Sequence, residues 1–152
     1  MKNYNKVIFV AESGTCRAPM AAGILEEYSL MHPVEILARG LVVLFPEPLN
    51  QKAEAVMISN GINMEGFMST QLTEEDFSDD ALVLVMEKGQ LEKVLETYHN
   101  ADPENVHILT ELVGDELEIL DPYGGTLQAY GLCYETLRKT ILKLVKLLNE
   151  GE

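Results

Sequence analysis

The stretch that decides the fold is Val10-Ala-Glu-Ser-Gly-Thr-Cys-Arg-Ala-Pro-Met20. It follows an apolar run, Lys6 to Val10, and leads into a helical pattern. A loop between a strand end and a helix start aims several backbone N–H groups at one point, and the helix dipole adds positive potential there. Gly14 lets such a loop take a positive φ without Cβ strain. Arg17, at the helix start, carries a planar fork suited to two oxygens of one phosphate. The pattern predicts an anion nest over residues 12–17 (Glu12, Ser13, Gly14, Thr15, Cys16 and Arg17). Ser13 and Thr15 have no evident base to activate them, and capping of the loop is their expected role. Taken alone the loop is a weak signal, because many strand-to-helix turns of this composition bind nothing.

Working outward, strand-like runs alternate with helical periodicity along the whole chain. Lys6–Val10 predicts a first strand. Met20 onward predicts a helix, with Ala21, Ile24, Leu25 and Tyr28 spaced along one face and Pro19 in the first turn. Val34–Ala38 predicts a second strand. Gln51–Asn60 predicts a helix stopped by Gly61. Ala81–Met86 is a continuous apolar run that suits a strand buried on both faces. Leu91, Val94, Leu95 and Tyr98 mark a further helix, and Val106–Leu109 a fourth strand. Tyr134, Leu137, Ile141, Leu144 and Leu148 mark a long C-terminal helix. This alternation predicts one α/β domain over residues 1–152, a parallel sheet with helices on both faces. Ligands of such sheets collect beyond the carboxyl ends of the strands. The loop at 11–17, the end of Ala81–Met86 and the segment after Val106–Leu109 all fall on that rim.

The 152 residues are 47% hydrophobic and 24% charged, the composition of an ordinary globular domain. No apolar run is long enough to span a bilayer. The start of the chain goes straight into a strand-like run with no secretory pattern, so cytoplasm is the expectation. The formal net charge of −14 argues against a nucleic-acid partner, which needs clustered Lys and Arg. Two distant cysteines, Cys16 and Cys133, make no disulfide framework, and His32, His99 and His107 give no metal-ligand spacing. No metal and no cofactor are expected. A field this negative repels anions at a distance, so any phosphate site must be built locally.

A second motif lies between the fourth strand and the last helix: Asp121-Pro-Tyr-Gly-Gly125. It has the composition of a common turn. As a functional element, Pro122 would stiffen the loop and hold the Asp121 carboxyl over the anion site, where it could protonate a leaving oxygen. Tyr123, and with it Tyr130, would wall the entrance.

With both motifs in place, the chain resembles the low-molecular-weight protein tyrosine phosphatases over essentially its full length. Members of that family carry Cys-x5-Arg-Ser-Pro-Met-Ala after the first strand; here the run is Ala11-x5-Arg17-Ala18-Pro-Met-Ala21. They carry Asp-Pro-aromatic late in the chain, here Asp121-Pro122-Tyr123. Ser69 to Phe77 and Leu82 to Met86 also fit. The resemblance implies a three-layer α/β/α fold around a central four-stranded parallel sheet. It also implies a two-step mechanism: a cysteine thiolate attacks phosphorus, the Arg holds the equatorial oxygens, and the Asp acts first as acid and then as base.

The pattern breaks at the reacting atom. Ala11 stands at the nucleophile position, and a methyl group forms no covalent intermediate. Ser13 and Gly14 replace a Gly-Asn pair, Ala38 replaces the Ser that supports that Asn, Ala18 replaces a Ser, and Thr70 replaces an Arg. Glu12 adds a carboxylate at the loop. These losses cluster around one site, which favours a diverged, phosphatase-like binding protein over a single-site trap. Cys16 is expected to be a packed core thiol rather than a substitute nucleophile. The expected ligand is phosphate or a phosphorylated protein or peptide. Two other readings stand beside this one: an active phosphotyrosine or phosphoarginine phosphatase whose residue 11 is natively Cys, and a non-catalytic interaction module. The apolar, Pro-punctuated run Leu41 to Pro48 is either a buried connection or an exposed patch for a partner or a homodimer.

Overall fold

A computed structural model of the chain describes residues 1–150; the last two positions of the expected domain lie outside the described residues. Four strands form one sheet: β1 (Lys6–Ala11), β2 (Glu35–Gly40), β3 (Ala81–Val85) and β4 (Val106–Ile108). They run parallel in the order β2-β1-β3-β4. The expected four-stranded parallel sheet is present. β2 extends two residues past Ala38, because its end pairs with the end of β1 through Ala11↔Gly40.

Alternation along the two central strands sorts their side chains into two cores. Val7, Phe9 and Ala11 of β1 join Leu82 and Leu84 of β3 on one face. Ile8 and Val10 join Val83 and Val85 on the other. The first face is covered by α1 (Arg17–Leu25), α2 (Gln51–Ser59) and α5 (Leu127–Glu150); the second is covered by α3 (Lys88–Thr97) and the segment from Leu72 to Phe77. Because both faces are dry, β3 reads as unbroken apolar sequence.

The helix after the first loop differs from its expected form. It starts at Arg17 rather than Met20, and all nine of its residues are buried rather than one stripe. Small residues at Ala18, Ala21, Ala22 and Gly23 let it sit between the sheet and α5, so it needs no polar face. Tyr28 lies past its end. The second helix is capped as its sequence suggests. Asn50 Oδ1 accepts from the amides of Lys52 (2.9 Å) and Ala53 (3.1 Å), and Gly61 takes φ +82° beyond the last turn. The fourth strand ends one residue early, and Leu109 opens a short helix, α4 (Leu109–Leu112), that periodicity did not indicate. A 3-10 turn over Glu74–Asp76 was also not foreseen; Asp76 Oδ2 accepts from the amide of Thr73 at 3.0 Å and pairs with Arg39.

The strand order reverses direction at β1. The loop leaving β1 therefore lies beside the end of β3, where a crevice opens. Its placement depends on an unusually close backbone approach. Gly14 takes φ +73°, and a Cβ there would lie 2.9 Å from the Gly40 nitrogen. A Cβ on Gly40 would lie 2.7 Å from the Ser13 carbonyl oxygen and 2.5 Å from Val43 Cγ2. Gly89, in α3, has nothing within 4 Å of its would-be Cβ. Gly40→Ala should therefore cost on the order of ~2 kcal/mol. That corresponds to a Tm drop of about 4–8 °C for a chain of this size. Gly89→Ala should raise stability by about 0.5–1 kcal/mol. Thermal melts read both; an unchanged Tm for Gly40→Ala would mean that the loop does not rest on β2.

Candidate functional site

Three carbonyls of the loop from Ala11 to Arg17 are tied to one neighbouring segment. The carbonyl of Ala11 accepts from the amide of Leu41 (3.0 Å), that of Glu12 from the amides of Leu41 and Val42 (3.0 Å each), and that of Thr15 from the amide of Asn50 (2.9 Å). These bonds tie the loop to the segment from Leu41 to Asn50 and need no side chain, so the Asn and Ser missing at Gly14 and Ala38 are not required to shape it. Thr15 N–H donates to Ser13 Oγ at 3.3 Å, and the two hydroxyls lie 2.8 Å apart, so Ser13 and Thr15 cap the loop. Among the described residues, nothing accepts a hydrogen bond from the N–H groups of Glu12, Ser13, Gly14, Cys16 or Arg17. Unpaired amides around a positive-φ glycine at the start of a nine-residue helix make a nest of partial positive charge.

Arg17 is placed less freely than its sequence position suggests. It is 2% exposed. Its Nη1 donates to Glu87 Oε2 at 2.5 Å and to the Ile119 carbonyl at 2.7 Å, and its Nη2 lies 3.6 Å from Asp121 Oδ2. One terminal nitrogen of the fork is thus committed to the protein itself. Only the Nε and Nη2 edge donates no hydrogen bond among the described residues. The physical reason is burial. A guanidinium this enclosed must be compensated, and Glu87, the first residue beyond the buried β3–Met86 run, supplies the carboxylate. Neither Glu87 nor the Ile119 carbonyl was singled out from the sequence. Glu87 could have been, since it stands where the third strand meets the rim.

Above the loop is an open cavity of about 570 Å³. Glu12, Ser13, Thr15, Cys16, Asp121 and Tyr123 of the expected site reach its lining, joined by a wall from Glu47 to Gln51. Asp121 and the loop motif are thus brought together across the sheet's rim. Asp121 Oδ1 also accepts from the amide of Tyr123 at 3.1 Å, so this carboxylate shapes its own turn as well as facing the cavity. Tyr123 is 82% exposed at the mouth. Tyr130 is 2% exposed and packs into the core, yet it lines an adjoining recess with Asn50, Gln51 and Tyr123, and burial pushes its hydroxyl pKa up. Lys52 fixes the turn from outside, its ammonium donating to the Gly125 carbonyl at 2.5 Å and lying 5.9 Å from the centre of the Tyr130 ring.

Ala11 is 3% exposed and packs in the core at the end of β1. Cys16 is no replacement for a thiolate there. Burial pushes its thiol up to about 12, the neighbouring Cys133 adds to this, and Arg17 only partly opposes it. Burial likewise pushes Cys133 up to about 11. None of the three histidines lines the cavity. Among the described residues, no group of His, Cys, Asp and Glu is placed to hold a metal ion, and no helix is long and apolar enough to cross a membrane.

The segment from Leu41 to Pro48 is exposed in its middle. Leu41 and Leu49 are buried, whereas Leu44 is 88% and Phe45 65% exposed. Ser69 pins it, its Oγ accepting from the Glu47 amide at 2.9 Å and its own amide donating to the Glu47 carbonyl.

Comparison with known proteins matches this geometry. The family model described as "Low molecular weight phosphotyrosine protein phosphatase" covers residues 6–152. The low molecular weight protein-tyrosine-phosphatase PtpB of Staphylococcus aureus is 32% identical over 139 residues, 91% of this chain and 96% of that protein. The structure of the YwlE arginine phosphatase from Geobacillus stearothermophilus superposes with a TM-score of 0.88 at 28% identity, covering 96% of this chain and 94% of that one. That of a low molecular weight protein tyrosine phosphatase from T. tengcongensis gives 0.87 at 30% identity, with 94% and 99% covered. A family model that matches residues 6–152 and a relative 32% identical over 91% of the chain lead to one conclusion: this chain belongs to the low molecular weight phosphotyrosine protein phosphatase family.

Proposed function

We propose that this chain is a phosphatase-family protein that holds a phosphate group at the 12–17 loop and hydrolyses it little or not at all. The observation that carries the reading is the set of loop amides left without acceptors, on a loop whose Ala11, Glu12 and Thr15 carbonyls are tied to residues 41–50. The Nε and Nη2 edge of Arg17 supplies the guanidinium contact. Ala11 supports the absence of turnover: its methyl group forms no bond to phosphorus, so the two-step route through a phosphocysteine is closed. Asp121 would sit over the leaving oxygen with no covalent step to serve.

The same geometry predicts weak binding. Glu87 occupies one prong of Arg17, and Glu12 is exposed and faces the cavity, so carboxylates offset the gain from losing a thiolate. Calorimetry with inorganic phosphate should give a Kd on the order of ~1 mM, equivalent to about −4 kcal/mol. Arg17→Ala should abolish it, and Glu87→Gln should tighten it. Failure of phosphate to bind either the protein as written or Glu87→Gln would leave a bare scaffold.

On an aryl phosphate, the protein as written should turn over about 10⁶-fold more slowly than an enzyme of this kind with its nucleophile in place. Ala11→Cys tests the second reading, an active phosphatase whose residue 11 is natively Cys, because it restores the missing atom above an otherwise intact loop. Turnover by the unaltered protein that Cys16→Ser removes would overturn this account.

The buried thiols give a separate check. Both have folded pKa values above the ordinary value of 9.0, so folding favours the neutral form. Below about pH 9 neither state is charged and no stability is lost. As pH rises from 9 toward 11 and 12 the unfolded chain ionises first, and stability falls. Native Cys16 and Cys133 should resist an aromatic disulfide reagent at pH 8 and react fully in guanidinium. Rapid labelling of the folded chain at pH 8 would mean that Cys16 is an available nucleophile.

A further inference from the structure

The proposed ligand places a phosphate at the floor of the cavity, and what lines the walls above it has consequences for the rest of that ligand. Glu12, Glu47 and Asp121 all reach the lining, and no lysine or arginine does. One terminal nitrogen of Arg17 is held by Glu87 and the Ile119 carbonyl, the other lies 3.6 Å from Asp121, and the Lys52 ammonium is held by the Gly125 carbonyl. The Glu47 side chain takes part in no hydrogen bond or ion pair among the described residues; its backbone alone is pinned, by Ser69. Two loops flank the mouth, and both carry large apolar groups in water. Leu44 and Phe45 stand on the segment that continues into Glu47 and Pro48, and Leu120 and Tyr123, each 82% exposed, bracket Asp121. Exposed apolar groups on both sides of a recess mark a surface that takes a partner.

We infer that this mouth docks a phosphorylated polypeptide segment whose neighbours to the phosphorylated residue are lysine or arginine together with apolar side chains. The inference rests on the phosphate reading above and adds the chemistry of the flanks. A segment with acidic flanks meets three like charges on the wall; a segment with basic flanks meets three opposite ones. The cavity volume suits one side chain, which leaves the flanking residues at the rim. Charge complementarity of this kind sets partner choice and is weakened by salt. Exposed pairs are individually weak, and three together give a preference of about tenfold.

Fluorescence anisotropy with three labelled peptides tests this: a phosphotyrosine peptide with Lys and Arg flanks, the same peptide with Asp and Glu flanks, and the basic peptide without phosphate. The expected result is about tenfold tighter binding of the basic phosphopeptide than of the acidic one, shrinking toward unity at ~0.5 M salt. Glu47→Gln should reduce the ratio and Glu47→Lys should abolish it, with folding checked by thermal melts. Phe45→Asp should weaken both phosphopeptides. Equal binding of the two phosphopeptides overturns the inference and leaves the phosphate reading standing. Equal binding of the phosphorylated and unphosphorylated basic peptides removes the phosphate reading and keeps the acidic wall as a dock for a basic segment. No binding of any peptide overturns both. A concentration-dependent dimer in sedimentation that Phe45→Asp disperses, with no preference among peptides, would assign the rim to a second copy of this chain and overturn the inference as well.

Discussion

The carbonyls of Ala11, Glu12 and Thr15 are held by the amides of Leu41, Val42 and Asn50, and much else at this end of the molecule follows from that. A peptide unit whose carbonyl is fixed has its N–H fixed in the opposite sense. Once the loop leans on β2 and the segment after it, its amides turn toward the crevice beside β3. Gly14 and Gly40 make this possible, because any Cβ at either position would meet backbone at under 3 Å. Apart from the Ser13 and Thr15 cap, the loop is held by backbone bonds.

A second layer of control is electrostatic, and it opposes the first. The amides and the start of α1 favour negative charge. Around them stand Glu12, Glu47, Glu87 and Asp121, with Arg17 the one buried cation at the floor among the described residues. Glu87 is 37% exposed in its side chain, so its pairing with Arg17 is screened on one side only. The guanidinium is steadied by this contact and also partly neutralised by it. The site thus sets a nest of amides against a ring of carboxylates.

How much of this was legible in the sequence differs from element to element. β1 and β3 were readable because burial on both faces forces apolar runs, and α5 because only one face of it is buried, leaving a clear period. The extra residues of β2, the helix at Leu109–Leu112 and the 3-10 turn at Glu74–Asp76 left no periodic trace, being shorter than one full period of either pattern. The depth of Tyr130 was not legible either. It stands in the first turn of a long helix close in sequence to the Asp121 turn, and its inward direction is a matter of that helix's phase.

The sequence by itself determined the strand, loop and helix at residues 6–25, the parallel α/β class, and the absence of a sulfur nucleophile at residue 11. These are matters of local composition: a small-residue loop with glycine, an Arg at the helix start, a methyl group in place of a thiol. Only the tertiary structure decided that Arg17 is bound to Glu87 and the Ile119 carbonyl, 70 and 102 residues away, and that the cavity walls are acidic. Charges act through distance in space. Chain position says nothing of that distance until the sheet has closed and brought the ends of its strands to one rim.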